Sequence, residues 1–323
     1  TEYLPIQRNL SPNSIATYRD TFRLLLLFYD TEKHIKPNLL TLDMLDVQGI
    51  EDFMLWLKKE RNCGASTCNQ RLGALKSFFR YLQFALPDRA LQCQENLAIR
   101  PMKQSEPGLK YLTIDGIKLL LEQPDIKTKY GRRDLAILSL MYDTGARVQE
   151  IADIKIVHIR FSAPATIRIT GKGDKTRVVP LLSRTEDILK QYIKDFKIDA
   201  GGNDAYLFQN RNGQHLSRFG ISYILTKYAD KARKVHPELI PERLSPHCIR
   251  HSKAMHPLQA NVNLVYIRDL LGHSSVTTTE IYARADTTLK REALEKANPI
   301  KDTPAMPQWN DDEGLMEWLR TLI

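Results

Sequence analysis

Residues 244–286 contain side chains whose types could act on a phosphate ester. Tyr282 supplies a hydroxyl that can act as a nucleophile, and Arg250 supplies a planar guanidinium that matches two phosphate oxygens. His247 and His273 add imidazoles, which can accept or donate protons near neutral pH. If these side chains share one site, they could supply a nucleophile, a cation that binds phosphate, and groups that transfer protons.

The spacing of these residues predicts where they lie on helices. His247 and Arg250 are three residues apart, which places them on one face of a helix. Leu271-Gly272-His273 is typical of a helix that ends at a glycine, with the imidazole at the turn. Tyr282 follows a connector of three threonines, 277–279, which has no apolar periodicity long enough to bury it. Polar residues in such positions need partners, because an unsatisfied buried polar group costs free energy.

The pattern His247-x-x-Arg250-His251, the Leu-Leu-Gly-His turn that ends at His273, and the tyrosine nine residues later closely resemble the C-terminal signature of the phage integrase (tyrosine recombinase) family. The resemblance implies two motifs upstream: an arginine in a Thr-Gly-x-Arg-x-x-Glu turn and a lysine in a β-hairpin. Both are present, the first at residues 144–150 and the second, Gly-Lys-Gly-Asp-Lys-Thr-Arg, at 171–177. Five elements in the family's order leave little room for coincidence.

The resemblance implies a role for each residue. Tyr282 is the nucleophile that forms a 3′-phosphotyrosine and leaves a free 5′ hydroxyl. Arg147 and Arg250 neutralise the charge of the pentavalent phosphorane, since guanidinium groups fit phosphate oxygens. Glu150 fits the family's acidic position and orients the site rather than transferring protons, and His251 supports the site from behind the residues that contact the phosphate. No cluster of carboxylates suits two Mg²⁺ ions, so we expect no metal and no other cofactor.

Proton transfer falls to the remaining residues of the signature. The resemblance makes His247 the candidate base for the tyrosine, and His273 a donor to a phosphate oxygen. Lys172 is the candidate general acid for the leaving 5′ oxygen. Lys175 competes with it for that role, and the family pattern favours Lys172.

Composition agrees with a soluble protein that binds a polyanion. The chain has 323 residues and a formal net charge of +9. Residues 1–5 lack the basic and apolar regions of a signal peptide, and the longest apolar run, 24–29, is too short to span a bilayer. We therefore expect a cytoplasmic protein without membrane contact, associated with the nucleoid when bound to DNA. The cysteines form no Cys-x-x-Cys pair and are expected to be free thiols: Cys63, Cys68, Cys93 and Cys248.

The first hundred residues predict a helical domain. Ser11 and Pro12 begin the first helix as N-cap and N1 residues, and apolar residues recur at helical spacing up to residue 29. Similar patterns predict helices through 50–57, 72–82 and 90–97. The polar faces of these helices carry basic residues that we expect to contact DNA phosphates, although each alone is typical of a solvated face: Arg19, Arg23, Arg71, Lys76 and Arg80.

The second half mixes helices with one hairpin. Residues 166–170 and 176–180 are rich in β-branched residues on either side of a glycine-containing turn, which predicts a hairpin with Lys172 near its tip. Lys175 and Arg177 on this hairpin are further candidates for DNA contact. Helices are predicted at 114–122, 132–142, 183–196, 218–234 and 252–260. Pro257 is expected to kink the last of these, and Asn261 tolerates a left-handed conformation.

The last residues predict an amphipathic helix with a narrow apolar stripe formed by Leu315, Trp318, Leu319 and Leu322. A connector at 298–307 contains three prolines and is long enough to carry this helix to its own domain or to a neighbouring protomer. The resemblance favours the neighbouring protomer.

We therefore expect a mainly α fold with a small β-hairpin or sheet in the catalytic domain, arranged as the two-domain DNA clamp of tyrosine recombinases. The predicted divisions are a DNA-binding (core-binding) domain at 1–100, a linker at 101–110, a catalytic domain at 111–297, and the connector with its terminal helix at 298–323.

The predicted function is site-specific recombination or integration of DNA, encoded by a transposon or other mobile element, without metal or ATP. Two alternatives share parts of the pattern: a type IB topoisomerase, and a DNA-binding accessory protein that has lost catalysis. The expected partners are double-stranded recombination sites and further copies of the chain, which assemble from dimer to tetramer through the terminal helix. Accessory proteins encoded by the same element are a further candidate class of partner.

Overall fold

The computed structural model describes residues 10–104, 108–171, 173–198, 202, 204–273, 275–285 and 313–321. Its internal contacts divide the chain into two units, Thr1–Pro107 and Gly108–Ile323, and the division falls inside the predicted linker. No helix among the described residues is long and apolar enough to cross a membrane.

The first unit is built from helices whose starts are encoded locally. Ser11 accepts a hydrogen bond from the backbone N–H of Ser14 at 3.3 Å, and Asp46 accepts one from Gly49 at 2.7 Å, as N-cap residues do. The predicted Ser11 cap is thus confirmed. The helices are α1 (Pro12–Glu32), α2 (Val47–Lys59), α3 (Ala65–Ala85) and α4 (Ala90–Ala98).

The core of the first unit takes buried residues from all four helices, and α1 and α2 approach each other closely at Gly49. Tyr29 donates its hydroxyl proton to the Met44 carbonyl at 2.6 Å, and a Cβ on Gly49 would lie 2.2 Å from that hydroxyl. Glycine at position 49 is therefore what lets the two helices approach. Near the C-terminal end of this unit, Asn69 Oδ1 accepts a hydrogen bond from the Met102 N–H at 2.8 Å, and Asn69 Nδ2 donates one to the Met102 carbonyl at 2.9 Å. The packed unit thus continues into the region that the sequence predicted as linker.

The second unit places helices around a small antiparallel sheet with the order β1-β2-β3. Its strands are β1 (Ile159–Arg160), β2 (Thr166–Thr170) and β3 (Thr176–Pro180). The predicted hairpin is confirmed, and in its observed register Arg168 lies opposite Val178. Strand β1 was not predicted, because two residues are too few to show an alternating pattern. The helices are α5 (Ile114–Glu122), α6 (Lys129–Thr144), α7 (Val148–Ala152), α8 (Ser183–Phe196), α9 (Arg218–Val235), α10 (Pro246–Gln259), α11 (Leu264–Leu271), α12 (Thr277–Ala285) and α13 (Glu313–Arg320).

A second, smaller core joins α10, α11 and α12. Met255, Ile267 and Leu271 are buried there, and Tyr282 is buried with them at 1% exposure. The prediction that the threonine connector leaves Tyr282 unburied was wrong. Residues 277–279 form the first turn of α12, and the cover over Tyr282 comes from the other two helices rather than from its own periodicity.

Helix α10 begins at Pro246 rather than at the predicted residue 252, with the proline at its N-terminal position. It therefore carries His247, Arg250 and His251 on one continuous helix. Pro257 lies two residues before the helix ends, so its missing N–H removes a hydrogen bond only from the last turn. Asn261 has a φ of 59°, which agrees with the prediction that it adopts a left-handed conformation.

Candidate active site

Arg147 is positioned by a sharp turn between α6 and α7. Gly145 ends α6 with a φ of 57°, and a Cβ there would lie 2.8 Å from Leu271 Cδ2. Arg147 is the N-cap of α7, and Glu150 accepts from it twice: from the backbone N–H at 2.9 Å and from Nη1 at 2.8 Å. The Arg147 side chain keeps 39% exposure, so its guanidinium remains open to a ligand.

Glu150 is shared between two arginines. Its Oε2 also accepts from Nη2 of Arg177 at 2.8 Å, and Nε of Arg177 donates to the Leu270 carbonyl at 2.9 Å. Burial by itself would raise the pKa of Glu150. The hydrogen bond and charge of Arg177, together with the donors of Arg147, lower the pKa by more than burial raises it, so the pKa of Glu150 lies below its usual value. Glu150 is therefore a buried carboxylate held ionised between two guanidinium groups.

Arg177 was predicted to contact DNA. Its side chain is only 10% exposed, because Nη2 donates to Glu150 and Nε donates to the Leu270 carbonyl, but it still lines a cleft beside these residues. Arg177 also fastens strand β3 to the end of α11, next to Gly272 and His273. Sequence alone could not show this, because residues 177 and 270 lie 93 positions apart.

Substitution of Glu150 by glutamine should lower the free energy of unfolding by about 3 kcal/mol at neutral pH, because it leaves two arginines without their shared carboxylate. The folded-state pKa of Glu150 is depressed, so its contribution is complete above the unfolded pKa of about 4.3 and is lost as pH falls through the folded pKa. Urea unfolding of the wild type and Glu150→Gln at pH 7 and pH 3 measures this difference. It should shrink at pH 3, whereas Glu122→Gln, at an exposed position on α5, should change little at either pH.

Arg250 is a buried cation, 4% exposed. Its Nη1 and Nη2 donate to the carbonyls of Gly145 and Leu271, each at 2.7 Å, and so join the ends of α6 and α11. Burial, and then the charge of Arg147, lower its pKa to about 10, which still leaves it charged at neutral pH. Two arginines of like charge thus converge at these two helix ends, an arrangement that favours binding of an anion.

His273 follows Gly272, which ends α11 with a φ of 66°. Burial, and then the charges of Arg250, Arg147 and Arg177, lower the pKa of His273 to about 4, so the imidazole is neutral at pH 7. Its Nδ1 lies 3.0 Å from the Thr279 hydroxyl. If that hydroxyl donates, the proton of the ring lies on Nε2, which is then a donor. Thr279 was not singled out from the sequence, although it lies three residues before Tyr282 and so on the same helix face.

Tyr282 lies between two of the histidines. Its ring stacks on His273 with centroids 6.4 Å apart and planes 8° apart, and its hydroxyl is 3.0 Å from Nδ1 of His251. Burial raises the pKa of Tyr282, while the charges of Arg250 and Arg147 partly oppose that rise. His247 is exposed on α10, with its ring 6.4 Å from that of His251, and no hydrogen bond is recorded for it among the described residues. The structure therefore places His251, and not His247, against the tyrosine hydroxyl.

A cleft of about 540 Å³, the catalytic cleft, opens beside these groups. Lys175 is exposed at its edge, on the turn that the Gly171 N–H closes onto the Lys175 carbonyl at 2.9 Å. Lys172, the candidate acid, lies outside the described residues. The residues that line the catalytic cleft are Arg147, Gly171, Gly173, Lys175, Thr176, Arg177, Gly272, His273 and Thr278.

A second cleft, of about 920 Å³, lies in the first unit. It brings together Arg19, Arg23 and Arg71 from α1 and α3, and it adds Arg61, which lies just after the end of α2. The sequence did not identify Arg61 as a candidate for DNA contact, because basic residues at the end of a helix are common and Arg61 belongs to no motif. Lys76 does not join this arginine cleft, since its ammonium donates to the Ile99 carbonyl.

Arg80 is exposed on α3 and does not line the arginine cleft. Three of the five predicted basic residues of the first unit therefore lie together in the arginine cleft. Arg80 is exposed elsewhere on the surface, and Lys76 is bound to the backbone of its own unit. Among the described residues no three of His, Cys, Asp and Glu form a group that could hold a metal ion. The four cysteines are free thiols.

Comparison with known proteins relates this chain to one protein family. The sequence profile of the phage integrase family matches residues 110–288, and that of the phage integrase N-terminal SAM-like domain matches residues 1–84. A putative integrase/recombinase, y4rC of Sinorhizobium fredii, is 35% identical over 98% of this chain and 94% of its own length. Tyrosine recombinase XerD of Listeria monocytogenes is 30% identical over 92% of this chain and 96% of its own.

Solved structures share the fold. The XerH site-specific recombinase bound to palindromic difH substrate, in a post-cleavage complex, aligns with a TM-score of 0.70 at 23% identity. The alignment covers 90% of this chain and 82% of that one. At this level of identity the likeness concerns the fold.

Proposed function

Since the chain belongs to the phage integrase family, we propose that it is a site-specific tyrosine recombinase that breaks and rejoins DNA strands through Tyr282. The observation that carries this proposal is the convergence of Arg147, Arg250, His273 and Tyr282 at one end of the second unit. They come from the α6–α7 turn, α10, the end of α11 and α12, and Glu150 and the Gly145 and Leu271 carbonyls hold the two arginines.

In the proposed reaction the Tyr282 oxygen attacks the phosphorus and forms a phosphotyrosine, while the bond to the 5′ oxygen breaks. Arg147 and Arg250 stabilise the charge on the phosphorane, since each is held in place before substrate arrives. His273, neutral with Nε2 protonated, donates a third hydrogen bond to a phosphate oxygen. His247, exposed on α10, contacts the same phosphate from the solvent side.

The leaving 5′ oxygen needs a proton. We propose that a lysine of the β2–β3 turn supplies it, with Lys172 preferred and Lys175 as the competing donor. Lys175 is exposed and lines the catalytic cleft, which supports a lysine of this turn as the proton donor. An ammonium group near a phosphate is a suitable acid for an alkoxide leaving group.

The first unit is proposed to hold the DNA duplex. Arg19, Arg23, Arg61 and Arg71 line one cleft, where several guanidinium groups can bind successive phosphates. Such contacts carry no sequence information but fix the register of the protein on its site. We further propose that the chain is encoded by a mobile element and is associated with the nucleoid when bound to DNA.

The test is a nicked DNA substrate whose cut fragment diffuses away, so that the covalent intermediate persists. The wild type should form a protein–DNA adduct that maps to Tyr282, and it should do so in EDTA, because arginines rather than a metal neutralise the phosphate. If the protein forms no adduct with any recombination-site DNA that is tested, the proposal is rejected. If cleavage strictly requires Mg²⁺, the metal-free mechanism is rejected. Relaxation of arbitrary supercoiled plasmid would instead favour a topoisomerase.

Assembly through the terminal helix is a separate proposal. Helix α13 has eight residues, which is too short to be stable alone in water, and its Trp318 side chain is 57% exposed. The connector 298–307 and Leu322 lie outside the described residues. We propose that α13 packs on a neighbouring protomer and that protomers assemble from dimer to tetramer on paired sites.

Deletion of residues 308–323 should leave binding to a single DNA site unchanged and should impair synapsis of two sites, because the proposed contact between protomers is lost. Gel-shift titration and a two-site recombination assay measure the two effects. Arg320→Ala, at an exposed position on the same helix, is the matched control and should recombine normally. Normal recombination by the truncated protein would show that α13 makes no essential contact between protomers.

A further inference from the structure

His251 has a contact that the roles assigned so far do not use. Its Nδ1 lies 3.0 Å from the Tyr282 hydroxyl, with ring centroids 5.7 Å apart, although the two residues are 31 positions apart in sequence. His251 is half-buried on α10, directly after Arg250, while Tyr282 is closed off at 1% exposure on α12. Solvent is thus largely excluded from the hydroxyl that must lose its proton, and an imidazole nitrogen is already in contact with it.

Both partners of this contact are uncharged at neutral pH. Burial, and then the charges of His247 and Arg250, lower the pKa of His251 below its usual value of about 6.5. Burial raises the pKa of Tyr282, despite the charges of Arg250 and Arg147. A neutral imidazole has one acceptor nitrogen and a phenol is a donor, so the pair can form a hydrogen bond from Tyr282 Oη to His251 Nδ1.

The neighbouring histidines are less suited to accept this proton. The ring of His273 lies nearly parallel to that of Tyr282, with centroids 6.4 Å apart, and its Nδ1 is taken by the Thr279 hydroxyl. His247 is exposed, and its ring lies one helical turn away from His251, at 6.4 Å. The other charged or titratable groups that bear on the pair are His247 and Arg250 from α10, Arg147 from the start of α7, and His273 from the end of α11.

We propose that Nδ1 of His251 accepts the phenol proton of Tyr282 as the tyrosine attacks phosphorus, an assignment that rests on the proposed recombinase function. The O–H bond breaks and its proton moves to Nδ1, while its electron pair forms the bond from oxygen to phosphorus. The bond from phosphorus to the 5′ oxygen breaks with its electron pair, and that oxygen takes a proton from the lysine of the β2–β3 turn. In rejoining, the same steps run backwards, and Nδ1 returns its proton to the tyrosine oxygen.

The environment of His251 suits a reversible transfer. Proton transfer from a resting phenol to this imidazole is uphill, because the phenol has the higher pKa of the two. It proceeds only together with attack, when bonding to phosphorus makes the phenol oxygen acidic. The imidazolium then lies beside Arg250, a like charge that favours return of the proton when the phosphotyrosine is broken. Recombination needs both directions, and this arrangement serves both.

The test compares pH profiles for single-turnover cleavage of the nicked substrate at saturating DNA. In the wild type the rate should rise with pH through the pKa of His251, below pH 6.5, and then level off. His251→Asn keeps an acceptor at the position of Nδ1 but takes no proton, so cleavage should slow by about 10²- to 10⁴-fold and this rise should disappear. His247→Asn, the matched comparison one turn away, should slow cleavage without removing the rise.

The outcomes separate this proposal from the proposed function. If the wild type forms the Tyr282 adduct but His251→Asn keeps its rate and its pH profile, the assignment of His251 is wrong and the recombinase function stands. Loss of the rise in His247→Asn instead would transfer the role to His247. If the wild type forms no adduct, it is the recombinase function that fails. Melting curves and gel shifts check each variant, with His251→Gln as a second amide variant, and unfolding of both would show His251 to be structural and end the proposal.

Discussion

Replacing Tyr282 by phenylalanine should abolish the covalent protein–DNA adduct while leaving DNA binding unchanged. The substitution removes only the hydroxyl oxygen, which is the proposed nucleophile, and phenylalanine retains the ring that stacks on His273 and packs between α10 and α11. The lost hydrogen bond to His251 should lower the free energy of unfolding by about 1 kcal/mol. Trapping on the nicked substrate, followed by denaturing gel electrophoresis, measures the adduct.

Tyr266→Phe is the matched control for this experiment. Tyr266 lies on α11 and is 71% exposed, whereas Tyr282 is 1% exposed, so the Tyr266 variant should form the adduct at the normal rate. An adduct that persists in Tyr282→Phe would mean that another residue attacks the DNA, and the assignment of the nucleophile would be lost.

Replacing Arg147 by alanine should slow cleavage by about 10²- to 10³-fold with little change in affinity for DNA. A preorganised donor aimed at developing charge stabilises the transition state by several kcal/mol, and that stabilisation is realised in the reaction rather than in binding. The fold should survive, because Glu150 keeps its second partner, Arg177, at 2.8 Å. Single-turnover cleavage and a gel shift on the same DNA separate the two effects.

Arg147→Lys and Arg268→Ala complete this experiment. Lysine keeps the charge but lacks the planar fork, so its variant should lie between the wild type and alanine. Arg268 is paired with Asp269 on α11, at 2.7 Å, and its loss should leave cleavage unchanged. Near-normal cleavage by Arg147→Ala would mean that other residues neutralise the phosphate.

The sequence by itself determined the local elements and the inventory of reactive groups. The helices at Pro12 and Ile114 begin at the predicted residues, each after an N-cap side chain, Ser11 or Thr113, which acts on an N–H group only two or three positions away. The β2–β3 hairpin was predicted with its bounds, because alternation and a glycine turn are contained within fifteen residues. The family resemblance was likewise carried by short motifs, each complete within a few residues, and so needed no tertiary information.

Only the tertiary structure decided how these groups meet. Tyr282 is buried and contacts His251 rather than His247, and Arg177 binds Glu150 and Leu270. The residues in these hydrogen bonds are 27 to 93 positions apart in the sequence. Periodicity and capping report on the few residues around a position, whereas these contacts depend on how α10, α11, α12 and β3 pack. The threonines before Tyr282 illustrate the difference: their own sequence supplies no apolar cover, and two other helices supply it.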